Sequence, residues 1–314
     1  MRKTGFLLYN KVMVLSDFHC HLYGYDSGES MKALLNGFSG ECKENRRAEA
    51  GRKESLSVIS AGDELKIRPG MIFTNIRERD LWESGALFSL DEGVRRDGKT
   101  GAVVVPFIGI HPWDFNEADD ESLAALEQTA VKTGAFIGEI GLDRLHLGGE
   151  EREKQRYVFK RALEAALKVE KPFTIHCVRE WGALLSVLES VKERIRAPFL
   201  VHAYSGSAET MEKIISLGGY ISFGTLFSHG REGSFSEKAA DCILKIDRRF
   251  LLLETDWTWH AGDAEAAEPD TYRGALLSVY EKTAELLKID ITELCGVIEE
   301  NGEVFKAYTA NWRG

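Results

Sequence analysis

The sequence predicts an α/β fold, a single (β/α)8 TIM barrel. Three observations predict it: short β-rich runs alternate with amphipathic helical stretches, the runs number eight, and 314 residues at 44% hydrophobic content suffice for one large core. The runs are 11–17 (KVMVLSD), 71–76 (MIFTNI), 102–110 (AVVVPFIGI), 135–142 (AFIGEIGL), 172–177 (PFTIHC), 197–203 (APFLVHA), 218–224 (GGYISFG) and 250–256 (FLLLETD). Strands separated by helices run parallel, because each connection must cross back over the sheet, and eight such units close on themselves.

Taken in order, the first run leads into Asp17-Phe18-His19-Cys20-His21. Side chains two apart on a strand share a face, so His19 and His21 point inward together while Cys20 points toward the helices. Residues 27–70 carry the charged stretch ECKENRRAEAGRKE and read as a solvated insertion, placed near the barrel mouth because it follows strand one. Within it the run LSVIS competes with 71–76 for strand two. Strand three exits through Gly109-Ile110-His111-Pro112-Trp113, where Pro112 turns His111 away from helix. Phe159, Leu163, Ala166 and Leu167, and then Leu184, Leu185, Leu188 and Val191, form the stripes expected of helices packed on a barrel. Segments 272–288 and 292–308 read as the closing helices, so residues 1–314 form one domain with the 27–70 insertion.

The formal charge of −10 argues against a protein that coats nucleic acid through a basic face. Five scattered cysteines without a Cys-x-x-Cys pair suit reduced thiols and a cytoplasmic location. The start of the chain shows no cleavable export signal, and no apolar run approaches the roughly 20 residues of a membrane span.

Six metal-ligating side chains fall at the C-terminal ends of the runs: His19, His21, Glu139, His176, His202 and Asp256. In a barrel these ends converge, which turns sequence-distant groups into one cluster. Imidazoles and carboxylates without thiolates suit zinc, manganese, magnesium or a similar divalent ion. Six ligands exceed one open site and suit one or two ions, with Glu139 as the natural bridge. Asp17 and Glu254 lie one pleat inside His19 and Asp256 and are expected to orient ligands.

The motifs SDFHCHL (16–22), GIHPW (109–113), GEIGLD (138–143), IHC (175–177), HAYSGS (202–207), GGYISFG (218–224), ETD (254–256) and ENGEVF (300–305) together resemble the TatD family of the amidohydrolase superfamily. The resemblance implies a barrel of the metallo-dependent hydrolase type and a phosphodiesterase, often a 3′-5′ deoxyribonuclease, that uses a metal-bound water. It implies that His19, His21, Glu139 and Asp256 hold one ion and Glu139, His176 and His202 another, with Asp256, Glu139 and His111 the catalytic residues. Asp256 would orient or deprotonate the attacking water. The substrate would be DNA or a small phosphodiester, and the candidates for contacting it are His111, Trp113, Arg179, Tyr204, Ser205 and Trp257, with Ser207 and Arg231 secondary. The oligomeric state stays open, with a monomer as the default.

Two departures from the family pattern stand out. An Arg-Asp pair usually follows the fifth-strand histidine, whereas this chain reads His176-Cys177-Val178-Arg179-Glu180. After the last strand it reads Trp257-Thr258-Trp259-His260 in place of a small residue and proline. His146, His229 and His260 are expected in loops. Two alternatives keep the barrel: a metal-dependent hydrolase of a small ester, lactone or amide, and a metal-free binding protein. A histidinol-phosphatase-like barrel also begins with His-x-His but needs more histidines than this chain supplies.

Overall fold

The computed structural model describes residues 12–23, 64–69, 71–84, 105–145, 147–224, 235–260 and 269–307. The first barrel stave is split into β1 (Val12–Asp17) and β2 (Cys20–Tyr23) around Phe18 and His19, and the second into β3 (Glu64–Pro69) and β4 (Met71–Thr74). β1 pairs with β3 and β2 with β4. The ring continues through β5 (Val105–Ile108), β6 (Phe136–Asp143), β7 (Phe173–Val178), β8 (Phe199–Val201) and β9 (Gly219–Phe223) to the eighth stave, β10 (Leu251–Leu253) and β11 (Trp257–His260). Every pairing is parallel.

The ring closes between the eighth stave and the first. β11 pairs with β2, the Phe18 N–H donates to the Leu253 carbonyl at 3.1 Å, and the Asp256 N–H donates to the His19 carbonyl at 3.1 Å.

The outer layer comprises α1 (Arg79–Ser84), α2 (Asp120–Thr133), α3 (Gly149–Val169), α4 (Trp181–Val191), α5 (Ala208–Ser216), α6 (Glu237–Lys245), α7 (Pro269–Leu287) and α8 (Ile291–Lys306). Local chemistry sets their ends. Asp119 and Ser122 form a reciprocal capping box on α2, which stops at Gly134 with φ 69°, a left-handed position that glycine adopts without steric cost. Ser207, Ser236 and Asp290 cap α5, α6 and α8 through their side-chain oxygens.

Two helices brace the closing seam, α7 at the first stave and α8 at the start of the eighth. From α7, the Tyr280 hydroxyl accepts the Ser16 N–H at 3.0 Å and donates to its carbonyl at 2.8 Å. From α8, Asn301 Nδ2 donates to the carbonyls of Arg248 at 2.6 Å and Leu251 at 2.8 Å. Gly302 lets α8 come close enough for this, since a Cβ there would lie 2.0 Å from Phe18 Cζ. Phe18 is fully buried and immediately precedes His19, so the ENGEVF segment governs the site from outside the barrel.

The structure alters several expectations. Residues 64–69, read as the tail of the insertion, form β3 and belong to the second stave together with 71–74. LSVIS and the rest of residues 24–63 lie outside the described residues. His260 lies in β11 rather than a loop, because β2 extends past His21 and gives the residues after Asp256 a pairing edge. His146 and His229 are outside the described residues. Among the described residues no helix is long and apolar enough to cross a membrane, and Cys20, Cys177 and Cys242 are free thiols.

Gly302→Ala is expected to destabilise the fold by about 1–3 kcal/mol through overpacking against Phe18. Thermal denaturation should show a melting temperature several degrees lower; an unchanged value would mean that α8 does not brace the first stave.

Candidate metal centre

The stave ends bring the six expected ligand-type side chains into one cluster. His19 sits in the break between β1 and β2, His21 in β2, Glu139 in β6, His176 in β7, His202 just after β8, and Asp256 between β10 and β11. At the same end the backbone enters the left-handed region at three non-glycine residues, Arg179 (φ 57°), Ala203 (φ 43°) and Asp256 (φ 57°). Such conformations cost on the order of 1–3 kcal/mol each and gather at sites that require a particular side-chain direction.

Glu139 lies at the centre with 3% exposure, and its two oxygens face different partners. Oε2 is 3.3 Å from both His19 Nε2 and His21 Nε2. Oε1 is 2.7 Å from His176 Nδ1, in direct contact with His202 Nε2, and 3.5 Å from His111 Nε2. Asp256 Oδ1 joins the first group, 3.3 Å from His21 Nε2 and 3.8 Å from His19 Nε2. Within each group the ring nitrogens meet at 3.0 Å, His19 with His21 and His176 with His202. The rings of His19 and His202 stack at 3.9 Å, which keeps the two groups side by side.

Burial alone favours the neutral acid of Glu139, yet His202, His111 and His176 hold its pKa well below the usual range. Burial likewise disfavours the His202 imidazolium, but Glu139 and Glu254 outweigh it and raise that pKa well above the ordinary value. Asp256 is densely surrounded although 48% of its side chain remains accessible; burial opposes ionisation there and the three histidines His21, His19 and His202 hold its pKa down at about 2. Both carboxylates are therefore anionic.

Glu139 Oε2 is buried without accepting a hydrogen bond. Imidazole nitrogens crowded around an anionic oxygen without satisfying it fit a cation-binding cradle, and neutral histidine with carboxylate is the donor set that divalent ions take. His19, His21 and Asp256 lie within common ligand reach. Glu254 is also near His19 and His202, but its oxygens already accept the Ala203 N–H at 2.7 Å and the Ser222 hydroxyl. It faces His202 Nδ1 at 3.5 Å and so orients that ring from behind.

His111 is close enough to Glu139 and His176 to be counted as a ligand, but its hydrogen bonding argues otherwise. Its Nδ1 accepts the Trp113 N–H at 3.1 Å, capping the short 3-10 turn Pro112–Asp114. A neutral imidazole that accepts at Nδ1 carries its proton on Nε2, and Nε2 faces Glu139. His111 is therefore a hydrogen-bond donor at the edge of the cluster. The turn fixes this tautomer, so its structural and chemical roles coincide.

Asp17 is fully buried and accepts the N–H of His19 at 3.1 Å, the N–H of Thr255 at 3.0 Å and the hydroxyls of Thr255 and Tyr272. It touches backbone rather than a ligand ring, and joins the residue before Asp256 to His19 across the closing seam.

Two residues without an assigned role complete the surroundings. Asp143 Oδ2 lies 3.5 Å from His176 Nε2 and accepts the Trp113 indole N–H at 2.7 Å, while Oδ1 accepts the Leu145 N–H at 2.8 Å. Burial opposes its ionisation, but hydrogen bonds from His176, Leu145 and Trp113 hold its pKa at about 2. Gln155 of α3 accepts the Asp143 N–H at 2.9 Å and donates to the Pro112 carbonyl at 2.8 Å, stapling the fourth stave to the His111 turn. Asp143 is four residues beyond Glu139, an even spacing that places it on the same strand face; Gln155 gives no such signal.

Of the expected substrate contacts, Trp113 is 70% exposed, and Arg179 and Ser205 are exposed at stave ends. Tyr204, by contrast, is 3% exposed, packs against Trp181 and donates its hydroxyl to the Ser207 carbonyl at 2.7 Å. Trp257 is half-buried and packs edge-to-face on Tyr272 at 5.6 Å. Ser207 caps α5, and Arg231 lies outside the described residues. Glu180, in the displaced charged pair, is buried and bound to Arg156 Nη2 at 2.9 Å.

A parallel eight-stave barrel with this cluster at its mouth defines the metal-dependent hydrolase class. The family model for TatD related DNases matches residues 16–306, and the chain belongs to that family. It is 27% identical over 201 residues to the uncharacterized metal-dependent hydrolase YabD of Bacillus subtilis, covering 62% of this chain and 74% of that protein. It is 28% identical over 149 residues to a protein of Citrobacter koseri named 3′-5′ ssDNA/RNA exonuclease TatD, covering 47% of this chain and 55% of that protein. The crystal structure of YjjV, a TatD homolog of Escherichia coli, superposes with a TM-score of 0.60 at 21% identity, covering 94% of this chain and 98% of that one.

Asp143→Asn is expected to weaken loading of the His176 side about 10- to 100-fold, the usual effect of removing a carboxylate that orients a ligand histidine. Titration of the metal-depleted protein with zinc or manganese measures this; wild-type affinity would separate Asp143 from the centre.

Proposed function

We propose that this member of the family is a two-ion phosphodiesterase that removes nucleotides from the 3′ end of single-stranded nucleic acid. The observation that carries the reading is Glu139, whose Oε1 and Oε2 face two separate groups of imidazoles at the C-terminal end of the barrel. His19, His21 and Asp256 with Oε2 would hold one ion, and His176 and His202 with Oε1 the other. Ions held by these residues would supply acidification of a water toward neutral pH and offset of charge on the entering and leaving oxygens of a phosphodiester.

The chain's own groups divide the remaining work. Asp256 is anionic and partly exposed, so it orients the attacking water and accepts its proton as the new P–O bond forms. His111, with a proton on Nε2, hydrogen-bonds the phosphate, and the leaving 3′ oxygen takes a proton from solvent to depart as a hydroxyl when its P–O bond breaks. No side-chain nucleophile is required, and all four described cysteines are buried. The formal charge of −10 limits nonspecific binding of long nucleic acid and favours engagement of a single strand end at the mouth. The exonuclease named for the Citrobacter koseri relative supports the substrate class.

The test uses 5′-labelled single-stranded DNA and RNA oligonucleotides, with protein first depleted by chelation and then supplied with magnesium, manganese or zinc. Stepwise shortening from the 3′ end only after metal addition is expected, with Asp256→Ala and His111→Ala each lowering kcat at least about 100-fold. Absence of shortening with every metal, or shortening that persists in chelator, would contradict the reading. Hydrolysis of small esters alone would favour the alternative substrate class.

A further inference from the structure

We infer that Trp113 is the stacking platform for the terminal nucleobase and thereby sets the preference for nucleotide substrates; this rests on the nucleic-acid reading above. Trp113 is 70% exposed, the most exposed of the large hydrophobic side chains among the described residues. A single exposed apolar side chain is an ordinary surface feature; what sets Trp113 apart is its place beside the reactive cluster.

Exposure alone is not the case. The indole is fixed, not loose: its Nε1–H donates to Asp143 Oδ2 at 2.7 Å, and its own backbone N–H is tied to His111 Nδ1 at 3.1 Å. It meets His111 edge-to-face at 4.8 Å and His176 at 6.5 Å, both of which adjoin Glu139 Oε1. A rigid ring loses little side-chain entropy on binding, and its accessible area is the kind of surface on which any base can stack. Among the described residues that touch the ring, Asp143 is engaged by His176, Trp113 and Leu145, and His111 and His176 face Glu139. Stacking without edge readout makes the platform tolerant of base identity, as an enzyme that shortens a strand stepwise requires. It supplies affinity for the nucleotide beyond what the phosphate contributes.

The hydrogen bond to Asp143 gives the competing account, in which Trp113 only braces Asp143 and hence His176. Two variants separate them. Trp113→Phe keeps an aromatic face and loses the N–H, whereas Trp113→Ala loses both. Each is assayed as metal-loaded enzyme on an oligothymidylate and on the same oligomer ending in a base-free tetrahydrofuran nucleotide.

Stacking predicts that Trp113→Ala raises KM for the complete oligomer about 5- to 100-fold, the range of one base–aromatic stack. It also predicts little change for the base-free one, and that Trp113→Phe retains most of the wild-type discrimination. Equal losses on both substrates, or a Trp113→Phe variant as impaired as Trp113→Ala, would overturn the inference in favour of the bracing role. Binding is read separately as tryptophan fluorescence in chelator. Quenching by oligothymidylate that disappears in Trp113→Phe supports the platform even if no hydrolysis is found with any metal, in which case only the hydrolytic reading falls. Identical quenching in the two proteins overturns the platform.

Discussion

A carboxylate almost completely removed from water is the constraint on which the site depends. Desolvating an isolated Glu139 anion would cost several kcal/mol and would shift it toward the neutral acid unless positive charge or hydrogen-bond donors compensate. The surrounding imidazoles compensate in part, and the group stays ionised. One oxygen nevertheless lacks a hydrogen bond while both histidine nitrogens of the first stave converge on it. That arrangement is incompletely satisfied by protein alone and would be completed by cations held in the cluster. The desolvation that makes the centre costly in the metal-free chain is the same property that makes it bind divalent ions.

Everything around Glu139 serves to keep its partners in register. The closing seam aligns His19 with Asp256 through one backbone hydrogen bond, and Asp17 reinforces it from below through Thr255 and Tyr272. On the other side, Gln155 and Asp143 connect the fourth stave to the His111 turn and to His176. The rigid staves therefore carry the ligands, while loop residues contribute the exposed surface at Trp113, Arg179 and Ser205. Rigid support beneath the ligands suits a site whose metal geometry must be tight.

Much of this was legible in the sequence because strand periodicity and barrel closure are strong constraints. The i, i+2 spacing of His19 and His21 places them on one face, and single ligand-type residues at the ends of later runs must converge once eight strands form a ring. The sequence was silent where the interaction depends on tertiary approach. Gln155 looks like any polar helix residue, and its role comes from α3 lying against both β6 and the Pro112 turn. Gly302 acts through its distance to Phe18, nearly the whole chain away. Tyr204 looked available because it follows His202, yet the left-handed turn at Ala203 precedes a side chain packed inward on Trp181. β3 (ELKIRP) was hidden because its short alternation of Leu65 and Ile67 with Glu64, Lys66 and Arg68 sits at the end of the charged insertion, and its pairing with β1 comes from tertiary approach.

The measurement that tests the central claim most directly is the bound-metal content, by elemental analysis, of the wild-type protein and of Glu139→Ala and His202→Ala prepared identically. A shared carboxylate predicts about two ions per chain in the wild type, loss of both in Glu139→Ala, and loss of one in His202→Ala, because His202 serves only the Oε1 side. A Glu139→Ala protein that keeps the wild-type content would contradict the account, since the two groups of histidines would then bind without their common anion.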